Sequence, residues 1–140
     1  MWRSGLINEK LREKGLEQTL QDIFKSRARS KIYSYLLRKK HAKTEQIIKG
    51  TKLHPSTVRE TLAQMHEDKQ IIRKKEKNDN IGKNPFIYYP IPPENLLKIY
   101  AREIEEKLNQ IAALSFSKKD LKSYKPVKIK IREEADQAWI

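Results

Sequence analysis

The residues here best suited to chemistry are hydrogen-bonding groups gathered on one short stretch, His54-Pro-Ser-Thr-Val-Arg-Glu-Thr-Leu-Ala-Gln64. Arg59 can donate two bonds to one planar acceptor pair, Glu60 can only accept, and Ser56, Thr57 and Gln64 can do both. These capacities match the edges of base pairs. Guanine offers O6 and N7 to an arginine, and cytosine offers its amine to a carboxylate. Catalysis is a poorer match. His41, His54 and His66 do not stand three or four apart with a carboxylate, so no metal ligand set is expected. No phosphate loop, dinucleotide fingerprint or nucleophile motif occurs, so neither an enzyme nor a cofactor is expected.

A helix must present those side chains. Pro55 suits a first helical position because its φ is fixed and it has no N–H to satisfy. Val58, Leu62 and Met65 recur at helical spacing and form the inward stripe of a helix over 55–68. Ser56, Glu60 and Ala63 then lie opposite the stripe, with Thr57, Arg59 and Gln64 on its shoulders. The preceding stretch, Thr44 to Gly50, reads as a shorter helix. Thr44 is its expected cap, Ile47 and Ile48 its inward face, and Gly50 its left-handed stop. Two such helices and a tight turn make a helix-turn-helix, whose second helix enters a DNA major groove.

Charge supplies the setting. The chain of 140 residues has a formal net charge of +13 and no cysteine, so no disulfide framework or thiolate site is expected. Ile23 to Thr44 carry Lys25, Arg27, Arg29, Lys31, Arg38, Lys39, Lys40 and Lys43 without an acid. Residues 69–83 are basic again, whereas Thr44–Ile72 nearly balances. The reader itself is close to neutral and the positive charge flanks it, as a polyanion lying across the motif would require. Phosphate contacts are expected from Lys43 and Thr44, from Lys52 in the turn, and from Arg73, Lys75, Lys77, Lys83 and Asn84.

Residues 6–24 read as a helical arm, broken or bent at Gly15, within an N-terminal segment 1–25. Ser26 is the expected cap for a helix over 27–40 whose stripe is Ala28, Ile32, Tyr33, Leu36 and Leu37, with Tyr35 at its flank. His41–Lys43 is a connector. After Met65 come two β-prone runs, Ile71-Ile-Arg-Lys-Lys75 and Phe86-Ile-Tyr-Tyr-Pro90, joined by an Asn/Gly-rich loop. A hairpin directly after a recognition helix is a wing, here 73–89. Residues 26–93 thus form a winged helix-turn-helix domain, mainly α with a small hairpin (α+β).

The passages KIYSYLLRKK, TEQIIKGTKLHPSTVRETLAQM, IIRKK and NPFIYYPIPPENLL resemble the winged helix-turn-helix of archaeal TrmB-like transcriptional regulators, with ArsR- and MarR-like regulators more distant. The likeness spans Ala28 to Pro93 and implies a sequence-specific regulator binding double-stranded DNA. That family has glycine where the recognition helix turns into the wing. Here Lys69 stands at that position, which implies a left-handed lysine at a cost of roughly 1 kcal/mol. The family's large sugar-binding domain has no counterpart here, and no small-molecule effector is assigned.

Residues 94–114 form a long helix in which Leu97, Ala101, Ile104, Leu108 and Ile111 are spaced alternately by four and three, a heptad seam suited to a homodimer. The tail 115–140 is basic. Val127, Ile129 and Ile131 alternate with Lys128, Lys130 and Arg132 as in a strand, and the terminal EEADQAWI with Trp139 reads as a short docking helix. No apolar run reaches membrane-spanning length and no signal-peptide core is seen, so a cytoplasmic protein with no membrane contact is expected. Two alternatives stay open: a winged helix that contacts protein inside a transcription or replication assembly, and an architectural DNA binder without sequence preference.

Overall fold

Four of the five described helices exit through a lysine. Lys25, Lys40, Lys52 and Lys69 have φ of 55°, 75°, 59° and 61°, and among the described residues no glycine has a positive φ. Each follows a helix and returns its N–H to that helix, as Lys25 does to Gln21 O and Lys40 to Leu36 O, both at 2.7 Å. The left-handed Lys69 expected at the mouth of the wing is among them. The structure, a computed structural model, describes residues 14–76, 85–115 and 125–131.

The elements run α1 (Lys14–Phe24), α2 (Arg27–Lys39), β1 (Ala42–Lys43), α3 (Thr44–Thr51), α4 (Pro55–Glu67), β2 (Ile71–Lys75), β3 (Phe86–Pro90) and α5 (Pro93–Ala113). They make an α+β winged helix with a three-stranded antiparallel sheet in the order β1-β3-β2. The chain divides into two compact units, Met1–Pro92 and Pro93–Ile140.

In the first unit α2 is central. Ser26 Oγ accepts from Arg29 N at 3.2 Å, the cap expected there. Ile32, Tyr33, Leu36 and Leu37 are buried, and Val58, Leu62 and Met65 of α4 and Ile47 of α3 join them in the core. Tyr35 is buried as well rather than flanking. Burial pushes the Tyr33 phenol well above its usual range, so its hydroxyl stays a neutral donor to Ile91 O at 2.8 Å. That bond fastens α2 to the chain leaving the wing. Leu20 and Phe24 bury the described part of the N-terminal arm, with the Phe24 ring 5.1 Å from that of Tyr33. The described helix begins at Lys14, so the break or bend expected at Gly15 within 6–24 falls at the edge of the described residues. Residues 1–13 lie outside the described residues.

Three local expectations change. The cap of α3 is Lys43, not Thr44, and the Gln46 side chain accepts from Lys43 N at 2.9 Å. Thr44 is the first helical residue. Gly50 does not stop α3 either: the helix continues to Thr51 and turns left-handed at Lys52. Glycine is needed at 50 for another reason, since a Cβ there would run into the ring of Tyr35. Finally, His41–Lys43 is more than a connector. Ala42 and Lys43 form β1, pairing with Tyr88 and Ile87, and two residues are too few for any alternation to show.

In the second unit α5 holds a segment without regular secondary structure, 125–131, by hydrogen bonds. Asn109 grips the backbone of Val127 twice, accepting from its N at 2.6 Å and donating to its O at 3.1 Å, and Glu105 accepts from Ile129 N at 3.4 Å. The strand expected over Val127, Ile129 and Ile131 is therefore not formed. Helix side chains take these backbone bonds in place of a neighbouring strand. Residues 116–124 and 132–140, with Trp139, lie outside the described residues.

Candidate nucleic-acid interface

The stripe of Val58, Leu62 and Met65 fixes how α4 is rolled. With these side chains at 0–2 % exposure, the opposite face must look outward. Ser56, Arg59, Glu60, Ala63 and Gln64 are exposed, and Thr57 is half-buried at the edge. The structure thus brings the predicted base-reading residues onto one face of one rigid helix.

Its N-terminus is set by a residue that sequence reasoning passed over. His54 caps α4: its Nδ1 accepts from Ser56 N at 3.2 Å and lies 2.7 Å from Ser56 Oγ. The ring therefore also orients the Ser56 hydroxyl. The signal was present in His54-Pro55-Ser56, because a side-chain acceptor directly before an N1 proline can serve as a cap.

The other end of α4 is held by Arg29. Its guanidinium pairs with Asp68 at 2.7 Å and donates to Gln70 at 3.1 Å and to Gln64 at 3.5 Å. This ties the first turn of α2 to the end of α4 and to the root of the wing. Arg29 stands in the basic run before the motif, yet its charge is engaged inside the protein. Gln64 is drawn toward it, away from the leading turn of α4.

Lys43 and Thr44 border an open groove of about 410 Å³ whose walls also include Arg59 of α4 and Phe86 and Tyr88 of β3. One concavity therefore joins a predicted base reader, two predicted phosphate contacts and the wing. Lys43 is not idle there, because its Nζ lies 2.8 Å from Glu76 at the end of β2. On the wing, Arg73 and Lys75 are exposed and lie on the same side as Phe86, with their cations 4.4 and 5.7 Å from its ring centre. Lys74 lies on the other side, 5.5 Å from the Tyr89 ring. These aromatic faces hold long cationic side chains extended along the strand. Lys52 is exposed in the turn between α3 and α4. Lys77, Lys83 and Asn84 lie outside the described residues.

On α5 the seam remains uncovered at Leu97, Leu108 and Ile111, which are 52 %, 41 % and 63 % exposed. Ala101 and Ile104 are half-buried. Among the described residues no group of His, Asp and Glu gathers as a metal site. No described helix is long and apolar enough to cross a membrane.

A recognition helix with a polar outer face, followed by a β-hairpin wing, defines a winged-helix protein of the transcription-factor type. Residues 16–120 match the TFIIE alpha subunit family, and the chain belongs to that family. The fold is similar to that of a possible transcriptional regulator from Methanosarcina mazei Go1, with TM-score 0.56 and 19 % identity over 70 % of this chain and 86 % of that one. It is also similar to NadR in complex with 4-hydroxyphenylacetate (TM-score 0.48, 14 % identity, 84 % and 82 % covered). A further similar structure is a mutant of MepR from S. aureus (TM-score 0.45, 18 % identity, 84 % and 85 % covered). No curated protein matches in sequence. The winged-helix class expected from the sequence is thus shown, while none of these matches is specific to TrmB-like regulators.

Proposed function

We propose that this protein is a sequence-specific transcription regulator that lays α4 in the major groove of duplex DNA and its wing along the adjacent backbone or minor groove. The observation that carries this reading is the outer face of α4. Arg59 and Glu60 stand exposed in the leading half of a helix whose other face is locked in the core. Arg59 reads guanine, Glu60 a cytosine amine, and Ser56 and Thr57 a base or a phosphate at the helix N-terminus. Gln64 stands further along and is the weakest reader. Lys43, Thr44 and Lys52, with Arg73, Lys75, Lys77, Lys83 and Asn84, supply affinity without sequence preference. The domain is residues 26–93. Helix 94–114 joins two copies through Leu97, Ala101, Ile104, Leu108 and Ile111, so that two half-sites are read together.

The test is fluorescence anisotropy on specific and random duplexes across a salt series. The expected result is tighter binding to one sequence, with a log–log salt slope that flattens by about 0.9 for each phosphate contact removed, as when Lys77 and Lys83 lose their charge. A second reading has one observation in its favour: the matched family is described as a subunit. In that reading the basic faces meet acidic protein surfaces inside a transcription assembly. Failure of the wild-type protein to bind any duplex at low salt would discard DNA reading in its favour. Equal binding to all duplexes would leave an architectural binder.

A further inference from the structure

The seam on α5 has a preferred pairing direction written in its flanks. Leu97, Ala101, Ile104, Leu108 and Ile111 form one face, and at 100° per residue Lys98 and Glu105 lie together along one border of it. The tail segment 125–131 bonds to Glu105 and Asn109, which stand beside that face and not on it. Leu97, Leu108 and Ile111 of the seam stay 52 %, 41 % and 63 % exposed, and Ile104 is half-buried.

We infer that the occupant of this face is α5 of a second copy, running antiparallel, with Leu97 of each copy opposite Leu108 of the other. This rests on the dimeric reading above and adds its geometry.

Size and charge both select this arrangement. In the antiparallel register each small Ala101 meets the Ile104 of the second copy, so layer volumes even out. A parallel pair would set Ala101 against Ala101 and leave a gap in the middle of the seam. In the same antiparallel register Lys98 of each copy stands beside Glu105 of the other, whose Oε2 also accepts from Ile129 N at 3.4 Å, and symmetry makes the pair twice. Sliding one helix by a heptad would bring Glu105 against Glu105 instead, and a parallel pair gives neither group an opposite charge. Like charges face to face disfavour the slid register, and the parallel pair lacks the attraction. The matching pattern is within a single sequence, which is why the partner is a second copy and not an unrelated helix.

The protein contains no cysteine, so engineered thiols would be the only ones present. Leu97→Cys and Leu108→Cys replace exposed side chains and should fold normally. Sedimentation of the full chain should show a dimer. On mild oxidation a mixture of the two variants should give disulfide-linked dimers several-fold faster than either variant alone. Lys98→Glu should weaken the dimer several-fold, and Lys98→Glu with Glu105→Lys should restore it. Rapid self-linking of Leu97→Cys alone would overturn the antiparallel register while leaving the dimer standing. A chain that stays monomeric at all concentrations would overturn the dimer itself, and with it this inference.

Discussion

Helices α4 and α5 are both amphipathic, and the protein uses them in opposite ways. In α4 the apolar stripe is buried completely, with Val58 and Met65 at 0 % exposure, and the polar face is what remains for a ligand. In α5 the apolar stripe is what remains: Leu108 and Ile111 stand 41 % and 63 % exposed, while Glu105 and Asn109 of the polar flank hold the chain's own tail. A stripe already satisfied gives a rigid helix whose polar side chains can be placed accurately. An unsatisfied stripe gives a helix whose own surface calls for a partner. Amphipathicity alone does not distinguish the two; what lies against the stripe does.

Substitutions can separate these roles. The largest contrast is Leu62→Ala against Leu108→Ala. Truncating the buried leucine should cost about 2–5 kcal/mol of folding stability, read by urea denaturation. The same change at Leu108 should leave the stability of the isolated chain within about 0.5 kcal/mol and weaken self-association instead, read by sedimentation. Comparable losses of stability at both sites would erase the contrast. Next is Arg59→Ala, which should lower discrimination at one base step by about 1–3 kcal/mol with no change in the denaturation midpoint. A uniform loss over all duplexes would demote Arg59 to a phosphate contact.

Gly50→Ala tests how closely α3 must approach α2 for α4 to be held in place. The added methyl meets the Tyr35 ring, so stability should fall by about 1–3 kcal/mol despite alanine's better helix propensity. Pairing it with Tyr35→Leu should recover part of the loss. Lys69→Gly relieves a left-handed lysine, φ 61°, and should raise stability by up to about 1 kcal/mol. The smallest expected effect is at Glu76, which holds Lys43 at 2.8 Å and so competes with a DNA phosphate for it. Glu76→Gln should tighten binding to every duplex a few-fold and steepen the salt slope by about 0.9. An unchanged slope would show that Lys43 makes no phosphate contact.

How much of this was legible in the chain differs from residue to residue. Capping at Ser26, the start of α4 at Pro55, the buried stripes of α2 and α4 and the two main wing strands all follow from neighbours a few residues apart, whereas the left-handed Lys69 was implied only by the family resemblance. Within a helix or hairpin, side-chain type and spacing settle the local geometry. The winged-helix class followed from them. Other features were hidden. Strand β1 is a pair of residues that becomes a strand only because β3 offers it an edge. Gly50 carries its reason in Tyr35 and not in its own backbone. Arg29 and Lys43 read as free positive charge until the fold sets Asp68 and Glu76 beside them.

The alternation Val127-Lys-Ile-Lys-Ile131 makes the same point from the other side. It reads as a strand with an apolar edge, and residues 125–131 take up no regular secondary structure. Whether the edge meets a strand or a helix depends on which hydrogen-bonding groups the fold brings alongside, and here those belong to Asn109 and Glu105. By itself the sequence determined the elements and the faces they turn inward, because periodicity is a property of near neighbours. Only the tertiary structure decided which charges remain free and which apolar face remains open, because those depend on residues far apart in the chain that meet only after folding.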